Sequence, residues 1–267
     1  MSATTAAARR AALPAGLPLA LAVLLVLAAI AYPLTGGGAR DAVSWTIVLL
    51  GSGVSVTAAT VAHGARTGAA LLVLVALTSV AFESVGLATG HPYGTYTYSD
   101  VLGPTLLGVP FLVPLAWLMM AWPSRVLAGL LTRRVRTGRR RAARVAVAAA
   151  VFAGWDVVLD PQLVQAGYWT WAHPTPGLPG IDTVPLTNLA GWLLAGLVLM
   201  TLLEVAVERT AVPGRRADAA PLLVIAWMVA GGALAHALWL DLPGSAAWGA
   251  ALSLVVLAVL ALQARRR

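Results

Sequence analysis

Along the chain, long apolar runs alternate with short polar stretches, and the runs are close to one length. Eight of them, near 15–34, 43–63, 68–89, 101–122, 142–160, 185–207, 219–240 and 245–264, hold about twenty residues each, the number an α-helix needs to cross a bilayer's hydrocarbon. Within lipid only helices and closed barrels satisfy their own backbone, and runs this long read as helices. The pattern predicts an all-α polytopic membrane protein with about eight transmembrane helices, one integral membrane domain over 1–267. The first run follows Ala-Arg-Arg but is long for a cleaved leader, and it is read as a retained helix.

Composition sharpens this picture. Sixty per cent of the 267 residues are hydrophobic and a tenth are charged, too little charge to cover a soluble surface. Cysteine is absent, which removes disulfides and thiol chemistry. The net charge of +8 comes from arginine alone, clustered at 9–10, 133–144, 209–216 and 265–267. These clusters lie between or beyond the spans, the placement of positive-inside loops, so nucleic acid is not expected as a partner and membrane lipid is. Both termini are then cytoplasmic. The outer loops 35–42, 90–100, 161–184 and 241–244 hold Arg40 against Asp41, Asp100, Asp182 and Asp241. The expected location is the cell membrane, multi-pass, with function confined to the helices and to loops 90–100 and 161–184.

Those two loops resemble each other. "GTYTY" at 94–98 and "GYWTW" at 167–171 share a Gly-x-aromatic-Thr-aromatic pattern at an offset of 73, which also sets Glu83 on Asp156. Further on, "GVPFLVPLAW" and "TVPLTNLAGW" match at an offset of 75. This predicts a parallel two-helix internal repeat, 68–122 and 142–207, spans three and four against five and six. In membrane proteins built from such repeats the site lies between the halves.

The repeat would gather Glu83, Asp156 and both aromatic loops around one outer-side cavity. A mid-span acid costs on the order of 2.5–3.5 kcal/mol on insertion scales and normally faces a cavity or a partner. Asp160 follows Asp156 by four, on one helix face, and ends its predicted helix just before Pro161, where the dipole disfavours an anion. A protonated carboxyl in such a place is a proton donor; a bland alternative makes the acids neutral hydrogen-bonding groups between helices, with Asp160 at the interface. Around them stand Tyr93, Tyr96, Tyr98, Tyr168, Trp169 and Trp171. They form either an interfacial aromatic belt or a box of electron-rich faces that stabilises a cation away from water. Asn188 opens span six and could hold a water or a carboxyl group. His91 and His173 flank the loops and His236 lies near the outer end of span seven; none has metal-ligand spacing, and no metal is expected.

The stretch "FESVGLATGHPYGTYTYSDVLGPTLLGVPFLVPLAW" followed by "WDVVLDPQ", "GYWTW" and "VPLTNLAGW" resembles the membrane carotenoid 1,2-hydratases, which include bisanhydrobacterioruberin hydratases and lycopene or γ-carotene hydratases. The similarity covers roughly residues 75–205. It implies a lipid-soluble carotenoid with an isopropylidene end, water added across its 1,2 double bond, no cofactor, and contact with other carotenoid-pathway enzymes. On that chemistry Asp156 donates the proton, with Asp160 beside it, and Glu83 orients or deprotonates the water, although the repeat allows Glu83 and Asp156 to exchange roles. Tyr96, Tyr98, Trp169 and Trp171 line the cation, Asn188 binds the water, and Tyr93 and His91 contact substrate.

Three other readings compete. "DVVLD" has the spacing of an acidic diphosphate motif of ubiquinone-type prenyltransferases, yet loops 90–100 and 161–184 hold no arginine. A carotenoid cyclase needs the same acid and aromatic box. A proton-coupled transporter would use buried acids at both ends of the spans, where Glu204 and Glu208 are available.

Overall fold

The computed structural model describes residues 13–265. Eight helical segments are long and apolar enough to cross a membrane. They comprise α1 (Leu17–Ala31, extended by a 3-10 turn to Leu34), α2 (Gly37–His63), α3 (Ala65–Thr89), α4 (Leu112–Leu131), α5 (Thr137–Gln165), α6 (Leu186–Thr210), the pair α7 (Ala219–Ala226) and α8 (Gly232–Leu238), and α9 (Pro243–Arg265). A π turn, Trp227–Gly231, joins α7 to α8 within one span. The arginines at 9, 10, 266 and 267, which bear on the expectation about the termini, lie outside the described residues.

Span four departs from its expected place. The run 101–122 is not one helix: α4 begins at Leu112, and the residues before it form a 3-10 turn (Asp100–Leu102) and a small hairpin of β2 (Thr105–Leu106) and β3 (Val109–Pro110). Hydropathy counts these residues as membrane-like, but Gly103, Pro104, Gly108 and Pro110 break the helix. The hairpin turns through Leu107 (φ 53°) and Gly108 (φ 80°), the positive φ pair of a two-residue hairpin turn. The lost length is regained after Trp122, where Pro123 is tolerated inside the helix.

Span five is longer than expected. It runs through Asp160 and Pro161 to Gln165, so Asp160 stands more than a turn before the helix end. The helix-end dipole acts on it less than expected, because the unpaired carbonyls lie in the last turn.

Between the spans, β1 (Tyr96–Tyr98) pairs antiparallel with β4 (Trp169–Trp171), in the register Tyr96↔Trp171, Thr97↔Thr170, Tyr98↔Trp169. Bonds from Ala172 N to Thr95 O and from Ser99 N to Tyr168 O, both 2.9 Å, extend the ribbon. Alternation along each strand leaves Thr97 and Thr170 exposed and turns the four aromatic rings inward. The ribbon caps one end of the bundle, the strand end.

At the opposite end, Val212 N bonds His63 O and Arg215 N bonds Val61 O, tying the loop after α6 to the end of α2. Here Glu204 is buried and paired with Arg125 (Nε, 2.9 Å) and with Arg144, while Arg141 meets Glu208 at 3.1 Å. The acids that a carrier would use at this end are held by arginine.

Candidate active site

α3 and α5 deliver their acids to the strand end. Glu83 is buried on α3. Its Oε2 accepts from the Tyr96 hydroxyl at 2.5 Å and the Tyr98 hydroxyl at 2.8 Å, so both tyrosines of β1 close on one carboxyl oxygen. Asp160 has the matching arrangement with β4. Its Oδ1 accepts from the Trp169 indole and, at 3.5 Å, from the Trp171 indole. The offset of 73 makes Asp156 the counterpart of Glu83; the hydrogen bonds give that place to Asp160, one helical turn later.

Asn188, in the first turn of α6, joins the two aspartates. Its amide nitrogen donates to Asp156 Oδ2 at 2.7 Å and to Asp160 Oδ2 at 2.6 Å. Asp160 thus accepts three donors and Asp156 one, which leaves Asp156 Oδ1 open. All three acids and Asn188 are buried, each at most 4% exposed.

The rings are packed in two tiers. Across the ribbon, Tyr96 lies 4.9 Å from Trp171 and Tyr98 5.8 Å from Trp169, centroid to centroid. Deeper in the bundle Trp117 of α4 meets Trp192 of α6 at 5.0 Å, and Trp192 stands 6.0 Å from Trp155 of α5. Tyr93 bridges the tiers, 6.3 Å from Tyr96 and 6.5 Å from Trp192. Its ring fits only because Gly86 and Gly191 flank it: a Cβ at Gly191 would stand 2.5 Å from the ring, and one at Gly86 2.9 Å. The Tyr93 hydroxyl is buried without a hydrogen-bond partner.

Burial first, and then the charge of Glu83, pushes the Tyr93, Tyr96 and Tyr98 hydroxyls well above the ordinary tyrosine range, so they remain O–H donors. Tyr168 is also pushed up, by burial. Its hydroxyl turns from the acids to Asp41 Oδ1 at 2.7 Å, with Ser44 at 3.1 Å.

A cavity of about 240 Å³ joins these groups. Glu83, Tyr93, Tyr96, Tyr98, Asp156, Asp160, Tyr168, Trp169, Trp171 and Asn188 all line it. His91 does not: it is exposed, its Nδ1 3.1 Å from Thr89 O, because the chain turns outward at the end of α3. The structure therefore does not bring this expected substrate contact to the cavity. His173 is exposed as well. His236 is fully buried, with Nδ1 2.6 Å from Ser245 Oγ and Nε2 2.9 Å from Gln162 Oε1; its place inside an apolar run was the available signal. Trp117, Trp155, Trp192 and Gln162 also line the cavity. The three tryptophans resemble ordinary apolar positions within spans, and Gln162 falls in the loop expected over 161–184.

Acids and aromatic rings thus line one cavity among helices long and apolar enough to cross a membrane. Residues 43–260 match the profile of the family described as "Carotenoid biosynthesis protein", and the chain belongs to that family. Over 156 residues it is 37% identical to the bisanhydrobacterioruberin hydratase of Haloarcula japonica, an alignment covering 57% of this chain. That alignment spans 50% of the relative's length. No solved structure gives a significant match.

Proposed function

We propose that the protein is a carotenoid hydratase that adds water across the terminal 1,2 double bond of an acyclic polyene end. The observation that carries the proposal is one carboxyl with an open oxygen, Asp156, in a cavity walled by aromatic rings and shared with two further acids. Asp156 delivers a proton to C2, and the electron pair of the double bond forms the new C–H bond. The tertiary cation left at C1 faces Tyr96, Tyr98, Trp169 and Trp171, whose ring faces stabilise positive charge that water does not solvate. A water then attacks C1. Glu83, held as an acceptor by two tyrosine hydroxyls, takes the proton that this water releases. A proton passed from Glu83 to Asp156 restores the resting state. Asn188 holds the two aspartates, the carboxyl partner that was one of the two expected for its amide.

The relative's printed name, a hydratase of a bacterioruberin precursor, supports water as the nucleophile. Among the described residues no arginine lines the cavity, which disfavours a diphosphate substrate for the Asp156–Asp160 pair. Cyclisation would pass through the same cation and give a product of unchanged mass.

The arginine loops at the end opposite the strands support cytoplasmic termini and a site towards the outer face. Repeat-equivalent residues meet in pairs, Thr97 with Thr170 in the ribbon and Trp117 with Trp192 in the bundle. These meetings support a two-fold axis relating 68–122 to 142–207 along the membrane normal.

The test is the pigment profile of lycopene-producing bacteria with and without the protein. Pigments heavier by one or two waters are expected, lost with Asp156→Asn. Unchanged pigment from both this polyene and a C50 precursor would overturn the reading.

A further inference from the structure

The acid site is one end of a cavity whose other end is walled by lipid-facing residues. Ile30 in the last turn of α1 and Leu34 just beyond it line the cavity together with Trp227, Gly231, Leu234 and Trp239 from the π turn, α8 and its end. Leu34 is 66% exposed and Leu234 52%, on helices long and apolar enough to span a bilayer. Side chains that line a cavity and also face outward mark its mouth.

The local backbone explains why the mouth lies there. α1 packs along α7, and the π turn follows α7, closed by the Gly232 N–H on Trp227 O. A π turn inserts a residue into the helix and recurs at functional sites. Here it coincides with two glycines. A Cβ on Gly231 would stand 2.9 Å from the Trp227 ring, and one on Gly232 3.0 Å from Val158 of α5. The two glycines let the turn pack closely against the Trp227 ring and α5, at the edge of the cavity that Trp227, Gly231 and Gly232 line.

The size of the cavity supplies the second argument. At about 240 Å³ it falls below the roughly 300–1,000 Å³ of pockets that enclose a drug-sized ligand, and a C40 polyene is larger than such ligands. A long polyene cannot lie inside. Its end group fits, and the rest of the chain must leave through a continuous apolar opening.

We propose that the gap between the end of α1 and the π turn with α8 is a lateral portal and binding groove for the polyene. The reacting end passes through it from the bilayer to the acids, and the remainder of the chain lies against Leu34, Leu234 and Trp239 in the lipid. This rests on the polyene-hydratase reading above. The groove binds an extended hydrocarbon chain and reads no polar group. The protein therefore selects the end group and is indifferent to what lies at the far end of the molecule.

The experiment uses the full chain in membranes of polyene-producing cells, in the Asp156→Asn background so that bound substrate is not consumed. A benzophenone amino acid is placed at Leu234 and, in a second protein, at Leu27, which is 59% exposed and lies off the cavity. On irradiation the expected result is a covalent polyene adduct at 234 and only lipid acyl adducts at 27. Separately, Leu34→Trp with Leu234→Trp should lower the polyene retained per purified protein at least tenfold, whereas Leu27→Trp should leave it unchanged. Lipid adducts alone at both positions, or undiminished retention in the double variant, would overturn the portal. A polyene adduct at 234 in a protein whose unmodified form adds no water would instead refute hydration and leave the portal standing.

Discussion

The amide nitrogen of Asn188 donates to Asp160 at 2.6 Å and, from the same atom, to Asp156 at 2.7 Å. A side chain from α6 therefore bridges two acids that stand one turn apart on α5. Asn188→Leu removes the bridge and leaves two buried carboxyls to repel or share a proton. Hydration should fall by about 100-fold or more, the usual scale of a misplaced general acid, while polyene still co-purifies. Chromatography of product against retained pigment checks both.

Glu83 and Asp156 should separate when the two halves of the reaction are read independently. With Asp156→Asn no cation forms, so neither hydration nor exchange of carbon-bound hydrogen with D2O should occur. With Glu83→Gln the proton still reaches C2 but the water is not deprotonated. Hydration should be lost while deuterium still enters the unhydrated or isomerised polyene, read by mass spectrometry. The reverse pattern would exchange the two roles.

The tyrosines of the site give a prediction about pH. Burial and Glu83 raise Tyr93, Tyr96 and Tyr98, and burial raises Tyr168. A group whose pKa is higher folded than unfolded contributes stability that is full below its unfolded value. For tyrosine that value is about 10, and the contribution is lost as pH climbs past it. In detergent at pH 11 the folded protein should show little tyrosinate absorbance from these four, and the signal should appear together with unfolding.

The chain has no cysteine, which makes its orientation easy to read. Asp182 and Arg140 are exposed at opposite ends of the bundle. In intact cells a membrane-impermeant maleimide should label Asp182→Cys and should reach Arg140→Cys only after lysis. The opposite result would put the site on the cytoplasmic side.

Eight spans were legible because an apolar run of bilayer length has few other uses. Span four differs from its hydropathy pattern because Val, Leu and Pro in the hairpin around Leu107 score there as they would in a helix. Around the acids, residue type carried the information: Glu83, Asp156, Asp160 and Asn188 are costly inside a membrane, and the sequence singles them out for that reason. Their partners were less visible. Trp117, Trp155 and Trp192 look like ordinary apolar residues until three helices bring them together. The bridge from Asn188 depends on how α6 faces α5, a tertiary fact that no local pattern records. His91 shows the converse, near the site in sequence but turned away because α3 ends at Thr89. His236, near the outer end of span seven in the sequence, is buried against Ser245 and Gln162.

The most direct test of the central claim is to supply the polyene to membranes containing the protein in H2-18O and to weigh the product. The account predicts a tertiary alcohol carrying one 18O for each hydrated end, formed without a redox cofactor and absent with Asp156→Asn. A product of unchanged mass, or an added oxygen drawn from dioxygen rather than from water, would contradict it.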